Sequence, residues 1–164
     1  MKRRSVILGG TALVALAGCS DSKFKRYRGP DVTYVVVNKE DRRMYLMHHD
    51  KVLKNYRIRL GFAPVGHKEI EGDGRTPEGL YHINRRNPNS RFHLSLGISY
   101  PNAQDRAKAH AMGKSPGGDI FIHGTPSNYL GQDDWTWGCI SVTDREIEDI
   151  YAMVKTGTLI TIRP

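Results

Sequence analysis

The chain has 164 residues, with 25 Lys and Arg against 17 Asp and Glu and a formal charge of +8. That is the size of one ordinary domain, large enough to bury its own core without staples. The basic excess is not arranged as a stripe interleaved with stacking aromatics, which disfavours nucleic acid as a partner.

The chain opens on the basic Met1-Lys2-Arg3-Arg4 and continues into the apolar run Val6 to Ala17, which ends at Gly18-Cys19. This is the layout of an export leader. As a helix the run rises only ~18 Å, short of the ~30 Å hydrocarbon core, so a permanent transmembrane span is the weaker reading. Leu16-Ala17-Gly18-Cys19 also resembles a bacterial lipobox, which implies removal of residues 1–18 and a lipid on Cys19. Ser20 after that cysteine resembles the sorting signal for the outer membrane. The rival reading is an ordinary signal peptide with an incidental Cys19. Arg3-Arg4 suits both the twin-arginine and the general export route. Loss of Lys2, Arg3 and Arg4 with the leader lowers the formal charge by three, and mild basicity suits an anionic wall or membrane.

Residues 19–31 are predicted to be a linker, polar and basic, with Gly29-Pro30 as punctuation. Lys23, Lys25, Arg26 and Arg28 are expected to be a solvated tether lying near anionic headgroups. Twelve extended residues reach at most about 40 Å, which keeps the body, residues 32–164, close to its membrane.

From Val32 the period becomes strand-like. Val32 to Val37, Arg43 to Met47 and Tyr56 to Leu60 are predicted as strands separated by turns at Asn38–Arg42 and His49–Lys51, forming an antiparallel meander. Gly61 to Gly79 is expected to be a surface loop shaping a cleft; it lacks the lysine spacing of a phosphate loop. Further strands are predicted at Leu80–Asn84, Phe92–Ile98, Asp119–His123 and Thr158–Ile162. A helix over Asp105–Met112 ends at Gly113. A second helix starts at the capping box Thr143 to Glu146, carries the apolar stripe Ile147, Ile150, Tyr151 and Val154, and stops by Gly157. The fold class is therefore mainly β with two helices.

Two residue types carry chemistry. The only cysteines are Cys19 and Cys139; with lipid on Cys19, Cys139 has no partner, and a lone thiol in an oxidising compartment is either a buried hydrophobe or a reactive group. His123 ends a strand before Gly124, and Thr136-Trp137-Gly138-Cys139-Ile140-Ser141 follows a loop. A thiol beside an imidazole that takes its proton makes a nucleophile, provided an acceptor orients the imidazole and N–H groups face the developing oxyanion. The Gly124 carbonyl is the candidate acceptor, and the Gly138 and Cys139 N–H groups the candidate donors.

Ile122-His123-Gly124 followed by Thr136-Trp137-Gly138-Cys139 resembles the signature of the L,D-transpeptidase (YkuD-type) catalytic domain, and Thr76-Pro77-Glu78-Gly79 resembles the family's Thr-Pro-x-Gly segment. The likeness runs from about Val32 to Ile162. It implies a mostly β, sandwich-like domain in which Cys139 is the nucleophile, His123 the base and Gly124 the holder of the imidazole. It also implies substrate contacts at Thr136, Trp137, Ser141 and Tyr100. Trp137 departs from the usual histidine, which argues that a second histidine is dispensable for basic chemistry here, and Ser141 departs from the arginine of many members, which puts the detailed substrate contacts in doubt. Glu71 to Gly79 and Ser99 to Arg106 are more similar to the branch that includes the enzyme detaching a Braun-type lipoprotein from peptidoglycan.

The resemblance implies an exported, envelope-anchored enzyme acting on peptidoglycan stem peptides through a thioester, with carbapenems as acylating drugs and no cofactor. A wall-linked lipoprotein is a further partner it suggests. Two rivals stand beside it: a hydrolytic L,D-carboxypeptidase or amidase, and a non-catalytic wall-binding lipoprotein. A zinc site built on His123 and Cys139 is disfavoured because zinc needs three or four ligands and neither Cys-x-x-Cys nor His-Glu-x-x-His occurs. His48, His49, His67, His82, His93 and His110 are read as surface or packing residues. Trp135 and Trp137 are read as core or as an apolar wall beside the thiol. Arg85, Arg86 and Arg91 are either solvated or placed to meet stem carboxylates.

Overall fold

The computed structural model describes residues 22–164. The expected leader, the lipidation site Cys19 and the sorting residue Ser20 lie outside the described residues. The strands are β1 (Tyr34–Asn38), β2 (Arg43–His48), β3 (Lys51–Arg57), β4 (Gly79–Asn87), β5 (Ser95–Ile98), β6 (Phe121–His123), β7 (Ile140–Ser141) and β8 (Leu159–Arg163). The helices are α1 (Ala103–Ala111) and α2 (Asp144–Met153).

All eight strands form one sheet in the order β3-β2-β1-β8-β4-β5-β6-β7. The β1-β2-β3 meander is antiparallel, as its alternation and turns predict. Parallel pairing occurs twice, between β1 and β8 and between β6 and β7. Beyond β3 the chain crosses to the other end of the sheet, where Arg59 bridges Ser141 and Gly61 bridges Thr136. The alternation expected over Tyr56–Leu60 is real, since Tyr56, Ile58 and Leu60 are all buried. Only its first half is strand β3; its second half ties the two sheet edges together. Strand β7, at two residues, is too short to announce itself by period and was not expected.

One core fills the curved sheet. Val35, Val37, Met44 and Leu46 from one end pack in the same cluster as Ile83, Leu96, Ile122 and Ile140 from the other, with Ile160 and Ile162 on the shared β8. Each such side chain contributes roughly 1.5–3 kcal/mol when fully buried. The cluster includes Ile147, Ile150, Tyr151 and Val154, the predicted apolar stripe of α2.

Both helices are capped by side chains. On α1 the cap is Asn102, so this helix starts earlier than the predicted Asp105, which instead closes a capping box. On α2 Glu146 Oε2 accepts the Thr143 N–H at 2.8 Å and Thr143 Oγ1 accepts the Glu146 N–H at 3.3 Å. At the other end of α2, Arg86 donates to the Tyr151 carbonyl at 2.6 Å and to the Val154 carbonyl, satisfying acceptors that a helix C-terminus leaves open.

Lys23 and Lys25, two of the four basic residues expected in a solvated tether, are instead engaged by the body of the domain. Lys23 Nζ donates to the Pro88 carbonyl at 2.7 Å and the His93 carbonyl at 3.2 Å, and Lys25 Nζ pairs with Asp149 at 2.7 Å and Glu148 at 3.3 Å. The segment is thus docked against α2 and the loop that follows β4.

Replacing Thr143 with Ala removes the α2 cap. Thermal or urea unfolding is expected to show a loss of about 1 kcal/mol, with Thr143→Ser retaining most of it; an unchanged midpoint for Thr143→Ala would mean that the cap is not what starts this helix.

Candidate active site

The pairing of β6 with β7 sets the site. Ile122 lies opposite Ile140 in parallel register, and both side chains are fully buried in the core. Strand side chains alternate between faces, so His123 and Cys139, each one residue away, project from the opposite face. Both line a cleft of about 420 Å3 together with the Asn87–Phe92 loop, Ser95, Asp119 and Phe121.

His123 is held on several sides. Its Nδ1 lies 2.7 Å from the Gly124 carbonyl. A carbonyl can only accept, so Nδ1 carries the proton and Nε2 is left with the free lone pair in the neutral ring. Phe92 stacks on the imidazole at 4.4 Å between centroids, and Trp135 meets it edge-on at 5.7 Å. Tyr129 in turn stacks on Trp135 at 4.0 Å. This aromatic enclosure removes water from the ring, and the resulting burial pushes the imidazole down to about 4, against a smaller opposing pull from the Gly124 carbonyl.

The Cys139 thiol is half-buried, and burial pushes it up to about 11. Backbone hydrogen bonding from Phe121 acts in the opposite sense, as does the charge of Lys68, while Asp119 adds to the rise. The S–H points at the Asp119 carbonyl, 3.5 Å away. No hydrogen bond joins thiol and imidazole here, and with these shifts both groups rest neutral while lining one cleft.

The loop that presents Cys139 is braced from within. Thr136 Oγ1 donates to the Cys139 carbonyl at 2.7 Å and accepts the Gly138 N–H at 3.2 Å. Gly138 adopts φ +115°, and a Cβ there would come within 2.5 Å of the Arg75 carbonyl, so only glycine fits between this loop and the Gly61–Gly79 segment. The main chain of the two segments is joined by Phe62 N–H to Thr136 O at 2.9 Å and Thr136 N–H to Leu60 O at 3.1 Å.

Several expected contacts fall elsewhere. The Gly138 N–H, expected in the oxyanion hole, is committed to Thr136, which leaves the Cys139 N–H as the remaining expected donor. Thr136 itself is buried and works as the loop's brace. Ser141 is 0% exposed, its main chain bonded in both directions to Arg59, so it has no surface to offer a substrate. Tyr100 is 4% exposed and donates to the Pro116 carbonyl at 3.0 Å, a core residue beside Tyr81. Trp137 is 71% exposed but leans on Phe62 at 5.0 Å and does not line the cleft. Trp135, one of the two tryptophans read from sequence as core or as an apolar wall, meets the His123 ring, and Phe92, Tyr129 and the Asp119 carbonyl, which had no assigned role in the sequence, complete the surroundings of His123 and Cys139. For Phe92 and Tyr129 the only sequence signal is aromaticity in loops, which periodicity does not read. Among the described residues no group of three or more His, Cys, Asp or Glu side chains is arranged to hold a metal ion.

A buried histidine and a half-buried cysteine thus stand at the ends of two paired strands and line one cleft of the sheet. Residues 32–162 match the L,D-transpeptidase catalytic domain (YkuD), and the chain belongs to that family. It is 31% identical over 137 residues to YafK of Escherichia coli K12, covering 80% of this chain and 50% of that protein. The chain thus spans about half the length of the curated relatives it matches. In structure it is similar to the helical cell shape determining protein Pgp2 of Campylobacter jejuni, with a TM-score of 0.63 and 29% identity, covering 87% of this chain and 51% of that one. It shares its fold with an L,D-transpeptidase of Mycobacterium smegmatis at a TM-score of 0.55 and 13% identity, over 81% of this chain and 59% of that one.

The depressed basicity of His123 is testable. Its NMR titration should have a midpoint near 4, and Phe92→Ala, which admits water to the ring, should move the midpoint up toward the ordinary ~6.5. Because the folded value lies below the unfolded one, this group's share of stability is complete above ~6.5 and is lost as pH falls through the folded value. A midpoint near the ordinary value in the unmodified protein would show that the aromatic enclosure does not exclude water.

Proposed function

We propose that this domain is a cysteine L,D-transpeptidase that acts on peptidoglycan stem peptides through a thioester on Cys139. The observation that carries the reading is the fixed tautomer of His123: Nδ1 is committed to the Gly124 carbonyl, and the basic Nε2 shares a cleft with the thiol. In the proposed reaction the thiol turns from the Asp119 carbonyl and gives its proton to Nε2 as Sγ bonds to the carbonyl carbon of the third stem residue. The oxyanion that forms is received by the Cys139 N–H, and by the Gly138 N–H if Thr136 releases it. Collapse breaks the peptide bond to the fourth residue, whose amine leaves with the proton from the imidazolium. An amine of a neighbouring stem then attacks the thioester, is deprotonated by His123 and restores the thiol.

The membrane side of the proposal rests on the sequence. A lipid on Cys19 would hold the domain in the envelope, facing the wall from the outer membrane. Family membership makes the stem peptide the natural substrate, and similarity to Pgp2, described as determining helical cell shape, extends the proposal to remodelling that shapes the wall.

The test incubates folded protein with defined tetrapeptide muropeptides, with and without an amine acceptor, and reads products by mass spectrometry. Cross-linked or exchanged product is expected from the unmodified protein and none from Cys139→Ala. Meropenem should form an adduct on Cys139 that is lost in Cys139→Ala and strongly slowed in His123→Gln. The acylation rate is expected to be nearly level around neutrality and to fall as pH drops through about 4, where His123 becomes protonated. Tripeptide products alone, with water as the only acceptor, would replace transfer by hydrolysis. A folded protein that gives neither adduct nor product would overturn the enzymatic reading in favour of a wall-binding one.

A further inference from the structure

The three arginines between Arg85 and Arg91 have different fates in the fold. Arg86 is spent on the C-terminal carbonyls of α2 and lies over the Tyr151 ring at 3.9 Å. Arg85 pairs with Asp119 at 2.5 Å and covers the Phe121 ring at 4.6 Å. Arg91 makes no ion pair or hydrogen bond to the described residues, and it lines the cleft that contains Cys139 and His123.

The loop presenting Arg91 is ordered by contacts on both sides. Asn87 Oδ1 accepts the Asn89 N–H at 3.0 Å, and Ser90 Oγ accepts the Phe92 N–H at 3.1 Å. Lys23 clamps the Pro88 and His93 carbonyls, and His93 Nε2 meets Glu148 at 2.8 Å. Phe92, the next residue, is pinned between the His123 ring and the Gly124 N–H, which its carbonyl accepts at 3.0 Å. Arg91 is exposed and extends from this ordered loop at one wall of the cleft. The only carboxylate lining that cleft belongs to Asp119, which is already paired with Arg85. What remains unmatched is one guanidinium fork, whose geometry suits a planar carboxylate.

We propose that Arg91 forms a carboxylate-binding subsite of this cleft and sets its preference for stems with a free carboxylate near the scissile bond. This rests on the stem-peptide reading given above. The ligand chemistry has two sources, the terminal carboxylate of the fourth residue and the side-chain carboxylate of a diamino acid at the third. One guanidinium serves one of them.

The test uses the full chain and three synthetic tetrapeptide stems: unmodified, amidated at the terminal carboxylate, and amidated at the third-residue side-chain carboxylate. Arg91→Gln is expected to lower kcat/KM on the unmodified stem by about tenfold or more, chiefly through KM, the usual scale for a charge-assisted hydrogen bond. One of the two amidations should cost the unmodified protein a similar factor and cost Arg91→Gln almost nothing more; that amidation identifies the carboxylate. Arg91→Lys should recover part of the loss, and the thermal midpoints of the variants should match. Equal losses on all three stems, or no loss in Arg91→Gln, would overturn the subsite. Calorimetric binding of the same stems to Cys139→Ala separates this from failure of the enzymatic reading. Carboxylate-dependent binding that Arg91→Gln abolishes upholds the subsite even without turnover, and binding indifferent to both amidations removes it.

Discussion

Two facing isoleucines organise the site. Ile122 and Ile140 sit opposite each other across the parallel β6–β7 pair, and burying both leaves His123 and Cys139 no choice but the other face. A slip of one residue would turn the thiol inward and expose an isoleucine, which costs roughly 1.5–3 kcal/mol for the apolar side chain alone. The same burial that stabilises the fold therefore fixes which groups share the cleft. Two residues of β7 cannot hold that register unaided. They are gripped by the Val142 N–H on the His123 carbonyl at 3.0 Å and by the paired Arg59–Ser141 bonds, each 2.9 Å.

A second layer of polar contacts keeps the Cys139 loop in place. Lys39 is nearly fully buried, yet its ammonium reaches Glu78 at 2.6 Å, the Gly66 carbonyl at 2.5 Å and the Thr76 carbonyl at 3.1 Å, so all three protons are placed. A buried ammonium left unpaired would be costly, and this one instead ties the end of β1 to the Gly61–Gly79 segment. In that segment Asp73 accepts the Glu69, Ile70 and Arg75 N–H groups at 2.8, 3.2 and 3.0 Å and pairs with Lys68 at 2.8 Å. Burial alone would raise the Asp73 carboxyl, but these partners outweigh it and hold it below the usual range. The result is a rigid turn whose Arg75 carbonyl faces Gly138. The Thr-Pro-Glu-Gly stretch thus serves the site by shaping the wall behind the Cys139 loop.

What could be read from the sequence was local. The capping box at Thr143, the α2 stripe and the alternation of the first strands are decided by near neighbours, and they reappear at or close to their predicted places. His123, Gly124 and Cys139 were legible as a group because their glycines and order match a known signature. Thr136, Ser141 and Tyr100 were misplaced as substrate contacts because burial is a tertiary property. Ser141 lies two residues beyond Cys139 and inside β7, where Arg59 closes over its main chain. The docking of Lys23 and Lys25 was equally illegible. A run of basic residues looks the same in sequence whether it is solvated or, as here, finds the carbonyls and carboxylates of a helix far along the chain.

The resting charges of the site bear on how the proposed chemistry would proceed. A thiol pushed up to about 11 beside an imidazole pushed down to about 4 does not exchange a proton spontaneously at neutral pH. Transfer becomes favourable only when the sulfur is simultaneously forming a bond to carbon, so the negative charge appears on the substrate oxygen instead of remaining on a buried thiolate. The imidazolium is then formed next to that oxyanion, in a space from which Phe92 and Trp135 exclude water. In such surroundings opposite charges attract more strongly than they would in solvent. The enclosure that makes His123 a weak base at rest is thus the feature that rewards proton transfer during attack. It also keeps Cys139 a neutral, poorly reactive thiol until a substrate displaces its contact with the Asp119 carbonyl.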